Sequence, residues 1–529
     1  MSKTDSNINS ALQSSHSCEG GNLELPTSWV YTQLGAVTKY GKTTKAELSD
    51  ASQGDWILEL EDVEKDSSRL LKRVTVEARK FKSSKNKFKT GDVLYGKLRP
   101  YLNKIIIADR PGYCSTEIIP IDAEPFVSNR YLFYWLKSES FQAHVNAASY
   151  GVNMPRLGTK DGLQAPLILP PLAEQKVIAD KLDELLAQVN TVKARLDAIP
   201  TILKRFRQSV LAAAVSGKLT EEWRHENNAV DKNAIIQFIE NERLNSWITE
   251  QKKSAHRKGI PFNLDSNIKK YKKPTNNYSD ELNLTAIQSA PEGWFVSNLD
   301  SISISVTGKT PPTTDEKNWG GKIPFITPSQ IKINGHIVAP ERYVTDKAAE
   351  KTPILPSGSI LIVCIGTIGK VGLLEKESAF NQQINALIPT AAIKKEFLFM
   401  WAQTLHTWLN KTSSAVVNAA IINKSRLCSA PCPVPPIEEQ TEIVRRVEQL
   451  FTYADQVEQQ VKNAQARVNQ LTQSILAKAF RGELTEQWRQ DNPELISGDN
   501  SAAALLERIK AERAAAKPAK KTKGRKSDA

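Results

Sequence analysis

Cysteine is scarce in this 529-residue sequence. An odd number of scattered cysteines argues against a disulfide framework and favours a reducing compartment. Cys428 and Cys432 form an isolated CxxxC pair with no second pair and no nearby histidine, which argues against a zinc site. The five cysteines are Cys18, Cys114, Cys364, Cys428 and Cys432.

Long apolar runs are also missing. No stretch approaches the roughly 20 residues that a membrane helix needs. Residues 1–21, MSKTDSNINSALQSSHSCEGG, lack the apolar centre of a secretory signal. We therefore expect a cytoplasmic protein, with no membrane partner, whose residues 1–24 form a flexible tail.

Catalytic motifs are absent where they would be needed. Gly308-Lys309-Thr310 lacks the glycine that a phosphate-binding loop carries five residues earlier, because Ser303 occupies that position. None of the three diprolines follows the Asn or Asp expected of an amino-methyltransferase loop. The six histidines are scattered and support neither a metal cluster nor a catalytic triad. A catalytic methyltransferase or nuclease stays open as an alternative, and such an enzyme would modify DNA unaided.

Acidic residues are outnumbered by basic ones, so the net charge is +13. A basic excess favours a polyanionic partner, most commonly nucleic acid. A basic C-terminal tail accounts for part of this charge but not for all of it. The tail contains Lys517, Lys520, Lys521, Lys523, Arg525 and Lys526.

An internal repeat organises the chain. Residues 217–224 read GKLTEEWR and residues 482–489 read GELTEQWR, a separation of 482 − 217 = 265 positions. The diprolines 170–171 and 435–436, and the Glu-Gln pairs 174–175 and 439–440, keep the same offset. So do two opening motifs, LPTSWVYTQL with Trp29 and APEGWFVSNL with Trp294. Residues 35–165 and 300–430 are unlike each other, which indicates two copies of one unit with a variable and a matched part.

The matched parts carry an apolar repeat with alternating spacings of four and three over residues 178–210 and 443–475. A heptad pattern of this length predicts a coiled coil, and two seams in one chain are expected to pack together. The alternative is a single amphipathic helix on a globular core. The first seam comprises Ile178, Leu182, Leu185, Val189, Val192, Leu196, Ile199, Leu203, Phe206 and Val210. The second comprises Ile443, Val447, Leu450, Ala454, Val457, Val461, Ala464, Val468, Leu471 and Ile475.

The ends of these helices are also encoded. The diprolines mark the starts, and Gly217 and Gly482 mark the ends. Pro200 falls inside the first helix and is expected to kink it. Thirty-three residues at about 1.5 Å each span roughly 50 Å, comparable to some 15 base pairs of B-DNA. Such rods would hold two unlike DNA readers at separated half-sites.

The variable parts must then supply the readers. Basic and aromatic residues alternate with apolar ones in the first, and an amide cluster follows a Gly-rich turn in the second. Arg and Lys can pair with guanine, and Asn and Gln with adenine. The plainer interpretation is a set of solvated turns and strand faces. The candidate DNA-binding residues are Lys97, Arg99, Tyr101, Lys104, Arg156, Lys309, Lys370, Asn381, Gln382, Gln383, Lys424 and Arg426.

The matched parts of the repeat resemble a known family. Four stretches carry the resemblance: PPLAEQKVIADKLDELLAQV, LKRFRQSVLAAAVSGKLTEEWR, PPIEEQTEIVRRVEQLF and the segment around GELTEQWR. They are similar to the two conserved regions of specificity subunits of type I restriction-modification enzymes, and closest to type IA. The resemblance is strongest over 170–224 and 435–516. LRPYLNK and IGTIGKV extend it into the variable halves.

The resemblance implies a non-catalytic subunit that reads a bipartite, asymmetric site on double-stranded DNA through two target recognition domains. It implies two modification subunits bringing S-adenosylmethionine and two restriction subunits bringing ATP and Mg²⁺, in a bacterial cytoplasm. This chain itself would bind no cofactor and no metal. The octapeptides would be the docking seats, with candidate residues Leu219, Trp223, Arg224, Leu484, Trp488 and Arg489. A coiled-coil scaffold without DNA binding is the third hypothesis.

The expected fold class is α/β, with two α/β recognition domains separated by an antiparallel coiled coil of two long helices in a pseudo-two-fold repeat. A second short helix is expected after each octapeptide, because Ile235, Ile236, Ile239, Glu242 and Arg243 match Leu505, Leu506, Ile509, Glu512 and Arg513. The expected segments are a tail (1–24), recognition domain 1 (25–169), helical region 1 (170–224), short helix and basic linker (225–289), recognition domain 2 (290–434), helical region 2 (435–489), and short helix with disordered basic tail (490–529).

Overall fold

The structure is a computed structural model, and it describes residues 25–79, 83–149, 154–227, 232–274, 289–332, 335–416 and 419–515. The chain divides into two compact units. The first unit combines Met1–Asp197 with Lys462–Ala529, and the second is the continuous segment Ala198–Val461. The expected N-terminal tail, and the basic tail beyond Ala515, lie outside the described residues.

Helices and strands alternate along both halves. The elements up to the first octapeptide are β1 (Val30–Gln33), α1 (Leu34–Val37), β2 (Thr44–Ala46), β3 (Trp56–Leu58), β4 (Val74–Thr75), β5 (Lys85–Phe88), β6 (Val93–Gly96), β7 (Ile105–Ile107), β8 (Gly112–Cys114), β9 (Ile118–Ile121), α2 (Asn129–Trp135), α3 (Glu139–Ala148), α4 (Thr159–Gln164), β10 (Pro166–Leu169) and α5 (Leu172–Val215).

The second half also alternates helices and strands. Its elements are α6 (Glu221–Glu226), α7 (Lys232–Arg257), α8 (Leu264–Ile268), β11 (Phe295–Asn298), α9 (Leu299–Ile302), β12 (Ser303–Thr307), β13 (Trp319–Ile326), β14 (Arg342–Val344), α10 (Asp346–Ala349), β15 (Ile354–Leu355), β16 (Ile360–Val363), β17 (Val371–Leu373), β18 (Ser378–Phe380), β19 (Ile384–Pro389), α11 (Lys395–Thr404), α12 (His406–Thr412), β20 (Ser414–Val416), β21 (Ala419–Ile421), α13 (Lys424–Cys428), β22 (Pro431–Val434), α14 (Ile437–Phe480), α15 (Glu486–Asp491) and α16 (Ala502–Ala515).

Each unit contains one mixed sheet and one antiparallel sheet of three or more strands beside its helices, which confirms the α/β class. In the first unit the strand orders are β2-β5-β8-β3-β4 and β7-β6-β9. In the second they are β12-β19-β16-β17 and β14-β13-β18-β15. One parallel pair occurs in each unit, β3 with β8 and β13 with β18, and the other pairings within these four sheets are antiparallel.

The opening motif of each copy forms a strand that pairs with the strand leading into a long helix. β1 pairs antiparallel with β10 through Val30 and Leu169, and β11 pairs with β22 through Phe295 and Val434. Both registers keep the 265-residue offset found in the sequence. Each opening motif is thereby fixed next to the start of a long helix, which positions its tryptophan.

The two long helices, α5 and α14, are 44 residues each. Each begins directly after its diproline. Gly217 and Gly482 follow their ends with positive φ values of 71° and 81°, the left-handed conformation that glycine adopts without steric cost. The expected end signals are therefore confirmed. Pro200 lies inside α5, which remains helical through it to Val215.

The long helices pair antiparallel within each unit. In the first unit the Gln465 amide donates to the Asp197 carboxylate at 2.7 Å, and Lys181 donates to the Leu484 carbonyl at 2.8 Å. Residue numbers thus increase along one helix as they decrease along the other. In the second unit Arg207 meets Asp455 at 2.6 Å, and Arg446 donates to the Leu219 carbonyl at 2.7 Å.

Residues of the heptad seam differ in burial according to what packs against the pair of helices beside them. Ile178 and Leu182 are fully buried in the first unit, because they join the core of the recognition domain. Val192 and Leu471 lie outside that core cluster and are 46% and 48% exposed. Two paired helices bury only the strip between them, and full burial needs a third element.

Helices also follow each octapeptide, as expected. α7 has 26 residues, which makes it longer than the predicted short helix and takes in the start of the predicted basic linker. Its Ile239 is buried in the core of the second unit. α16 buries Leu505 and Ile509 in the core of the first unit. No helix in the described ranges is long and apolar enough to span a membrane.

Candidate nucleic-acid interface and docking elements

A buried carboxylate joins three of the repeated segments in the first unit. Glu174 is fully buried, and its two oxygens accept from Trp29 Nε1 at 2.7 Å, Thr485 Oγ1 at 2.6 Å and Arg489 Nη1 at 2.6 Å. The Arg489 guanidinium lies 5.7 Å from the centre of the Trp29 ring. The opening motif, the start of α5 and the second octapeptide therefore meet at one carboxylate.

The second unit repeats this arrangement with the other octapeptide. Glu439 accepts from Trp294 Nε1 at 2.8 Å, Thr220 Oγ1 at 2.7 Å and Arg224 Nε at 3.1 Å. The Arg224 guanidinium lies 5.6 Å from the Trp294 ring centre. We call these two arrangements the carboxylate clamps. In each clamp, the octapeptide of one copy closes on the helix start of the other copy.

Two of the six predicted docking residues take part in the carboxylate clamps. Arg224 and Arg489 direct their guanidinium groups into the clamps, so a buried structural contact already uses them. Trp223 and Trp488 are half-buried, as are Leu219 and Leu484. Partner docking by these six residues stays a prediction, with the two tryptophans as its best-placed members.

The glutamine next to each clamp glutamate orders a helix of the recognition domain. Gln175 accepts from the Ser128 backbone N–H at 2.9 Å, and Ser128 directly precedes α2. Gln440 accepts from the Lys394 N–H at 2.7 Å, directly before α11. Each glutamine also donates, at 2.9 Å, to the carbonyl of the first proline of its diproline. The Glu-Gln repeat thus links each long helix to its own recognition domain.

In the first unit the candidate DNA-binding residues gather around one turn. Arg99 and Asn103 have φ values of 48° and 50°, unusual for residues other than glycine, on either side of a short 3₁₀ turn from Pro100 to Leu102. Arg99 donates its N–H to the Pro155 carbonyl, which brings Arg156 alongside. Arg99 is exposed and Tyr101 is 51% exposed, as a reading surface requires.

The remaining three candidates in this unit are more constrained. The Lys104 ammonium donates to the Leu60 carbonyl at 2.7 Å. Arg156 pairs with Glu117 at 3.2 Å but stays partly exposed. Lys97, two residues before Arg99, is half-buried. Among these side chains, Arg99 and Tyr101 are the most available for contact with DNA.

In the second unit the candidates come from several segments of the chain. Thr310, next to Lys309, donates to Gln382, so this part of the amide cluster lies beside the Gly308-Lys309 segment. Asn381 is 8% exposed and donates to Gln383 at 2.9 Å, which makes that pair chiefly structural.

The other candidates of the second unit belong to other segments of the chain. Lys370 reaches the Pro328 carbonyl at 3.4 Å. Lys424 and Arg426 are exposed on α13.

Sequence reasoning missed a feature shared by the two recognition domains. Arg73 lies 4.3 Å from the ring centre of Trp56, and Arg342 lies 4.0 Å from that of Trp319. Each tryptophan also meets a phenylalanine edge-on, Phe88 and Phe325 respectively. Only the spacing of Trp56 and Trp319, close to the repeat offset, hinted at this equivalence.

Three cysteines of the second unit lie in surroundings that favour the neutral thiol. Burial raises the pKa of the Cys364, Cys428 and Cys432 thiols, which favours the protonated form that neither attacks nor ligates efficiently. Within the described ranges, no group of three or more His, Cys, Asp or Glu side chains is placed to hold a metal ion.

Comparison with known proteins identifies the family. A family model described as the type I restriction modification DNA specificity domain matches residues 26–201 and 291–465, one match in each copy. The EcoBI specificity subunit of Escherichia coli is 38% identical over 427 residues, covering 78% of both chains. The StySPI specificity subunit of Salmonella potsdam is 37% identical, covering 74% of this chain and 73% of its own.

Solved structures agree on the fold. The HsdS subunit from Thermoanaerobacter tengcongensis gives a TM-score of 0.51 at 19% identity, covering 88% of this chain and 99% of its own. A chain from a study of complex assembly and conformational transition of the type I R-M system gives 0.58 at 19% identity, covering 87% and 99%. With two matched domains and relatives aligned over most of its length, this chain belongs to the non-catalytic specificity subunits of type I restriction-modification systems.

Proposed function

We propose that the two recognition domains each read one half of a bipartite, asymmetric DNA site and that the paired helices set the unread spacer between the halves. The dissimilarity of residues 35–165 and 300–430 supports an asymmetric target, because unlike surfaces read unlike bases. The observation that carries the proposal is the pair of 44-residue helices, each running from one unit into the other.

We further propose that the chain docks two modification subunits and, through the complex, two restriction subunits. The two equivalent octapeptides support two equivalent seats. S-adenosylmethionine, ATP and Mg²⁺ would belong to those partners. The whole complex would act in the bacterial cytoplasm, where its DNA target lies.

Mapping of methylated adenines tests the first proposal. Genomic DNA from a host with this chain and its partners should carry one new bipartite methylated motif that is missing without the chain. Arg99→Ala should reduce methylation at that motif at least about fivefold, since a well-placed base contact contributes about 1–3 kcal/mol. Complex assembly should be unchanged. A continuous, undivided motif would contradict the spacer role.

A further inference from the structure

We infer that a groove in the second unit, between α7 and the recognition domain, binds the phosphate backbone of duplex DNA without reading its sequence. This inference rests on the proposed DNA-reading function and adds a contact outside the predicted reading turns. We call this groove the α7 groove.

The shape of the α7 groove suits an extended ligand. Its volume is about 660 Å³. One wall is a face of α7 from Arg243 to Arg257, and the other includes β12 and residues 349–354. Fourteen residues of helix correspond to roughly 21 Å, or about six base pairs of rise. A groove of this length fits several successive phosphates better than one small anion.

The charge of the α7 groove is strongly positive. Six cationic side chains line it, against Glu250, Asp300 and Glu350. Two of these acids are neutralised locally, because Asp300 pairs with Arg243 at 3.2 Å and Glu250 pairs with Lys253 at 2.8 Å. The six cations are Arg243, Arg257, Lys258, Lys309, Lys351 and Lys424.

Four lysines carry the uncompensated charge. Lys258, Lys309, Lys351 and Lys424 are exposed, and the structure shows no ion pair for them among the described residues. They come from separate segments, so the charge is distributed along the groove. Exposed ammonium groups of this kind contact phosphates as point charges and release condensed counterions. Lys309 and Lys424 are also predicted DNA contacts, which places the groove next to the proposed reading surface.

The first unit contains a related groove with a smaller excess of positive charge among its described residues. This groove, of about 590 Å³, lies beside α16, with Arg513 in the place of Arg243. It holds five cationic side chains against four acidic ones, and Lys89 pairs with Asp122 across 2.5 Å. Among the described residues, the α7 groove therefore carries an excess of three positive charges, and its counterpart in the first unit an excess of one.

Binding of duplex DNA of unrelated sequence at several salt concentrations tests this inference on the full chain. Lys258→Gln combined with Lys351→Gln removes two groove charges and leaves the predicted reading residues intact. Each lost phosphate contact should reduce the slope of log affinity against log salt by about 0.9, so the double variant should lose roughly 1.8. Lys347→Gln combined with Lys376→Gln, two exposed lysines outside the groove, is the matched control and should leave the slope unchanged.

The outcomes are distinct. If the groove variant keeps the parent slope, or changes it no more than the control does, the inference is overturned while DNA binding by the chain stands. If the parent chain binds no duplex at all, the proposed function fails and the groove inference fails with it. Thermal unfolding of both variants should match the parent, because all four lysines are exposed.

Discussion

At the scale of single residues, the carboxylate clamps carry most of the argument. Glu174 and Glu439 are buried charges, and a buried charge is tolerated only when it is paired and fully hydrogen-bonded. Each has an arginine, a threonine hydroxyl and an indole N–H as donors. This requirement explains why Thr and Arg recur in both octapeptides, since each position completes the same network.

Removal of one clamp charge should destabilise its unit. Glu174→Gln keeps the size of the side chain but leaves the Arg489 guanidinium without its counter-charge, at a cost of about 3 kcal/mol in unfolding free energy. Urea unfolding measures this cost. Glu184→Gln, on an exposed face of the same helix, is the control and should change stability by less than about 0.5 kcal/mol. Equal effects of the two variants would contradict the clamp.

Lys137 gives the first unit a pH-dependent stability. Burial lowers the pKa of Lys137 to about 8, although the charge of Asp66 raises it in part. In the unfolded chain, the lysine keeps its proton up to about pH 10.4. Between pH 8 and pH 10.4 the unfolded state binds more protons, so stability contributed by this group rises with pH.

A variant without the Lys137 amine isolates the contribution of this group to the pH dependence of stability. Lys137→Met should raise the unfolding free energy at pH 7 relative to the parent, by up to roughly 3 kcal/mol, and should remove the rise between pH 8 and pH 10. Unfolding measured across this range, as the difference between parent and variant, cancels the titration of other groups. A difference that does not change with pH would show that Lys137 does not titrate in this window.

At the scale of elements, the long helices show that a heptad pattern specifies pairing but not uniform burial. Leu182 is fully buried beneath the recognition domain, whereas Val192, ten residues further along the same seam, is 46% exposed. Stability should therefore be concentrated where the helix pair meets a recognition domain.

A pair of alanine substitutions tests this distribution. Leu182→Ala creates a cavity and should cost roughly 2–5 kcal/mol. Val192→Ala should cost less than about 1 kcal/mol, because much of its side chain is already in water. Chemical unfolding of the two variants gives the comparison. Costs of similar size would indicate that the whole seam is equally packed.

At the scale of the whole molecule, the chain builds two similar units in two different ways. The second unit is one continuous segment, whereas the first joins the beginning of the chain to its end. The second octapeptide and α16 therefore complete the domain that the first residues begin. Duplication with this connectivity produces two equivalent clamps, each flanked by a half-buried tryptophan.

Replacement of the two equivalent tryptophans should change the number of modification subunits that bind to the chain. Trp223→Ala and Trp488→Ala should each reduce the number of bound modification subunits from two to one, and the double variant should bind none. Native mass spectrometry of the reconstituted complex counts them. Glu222→Ala and Gln487→Ala, at the adjacent exposed positions, should still bind two. Binding of two subunits by the double variant would exclude the tryptophans from the seats.

The sequence alone determined whatever depends on local pattern and on repetition. The heptads, the diprolines and the glycines fixed the two long helices and their ends, and the 265-residue offset predicted two copies before any contact was known. Periodicity could do this because a helix buries residues at a fixed spacing.

Only the tertiary structure decided which groups meet. It joined Glu174 to Arg489 across 315 positions, exposed Val192 and directed Asn381 inward. It also brought lysines from separate segments of the second half into one groove. A one-dimensional pattern specifies which residues share a face, but partners distant along the chain are selected by packing, because burial and charge pairing act through space.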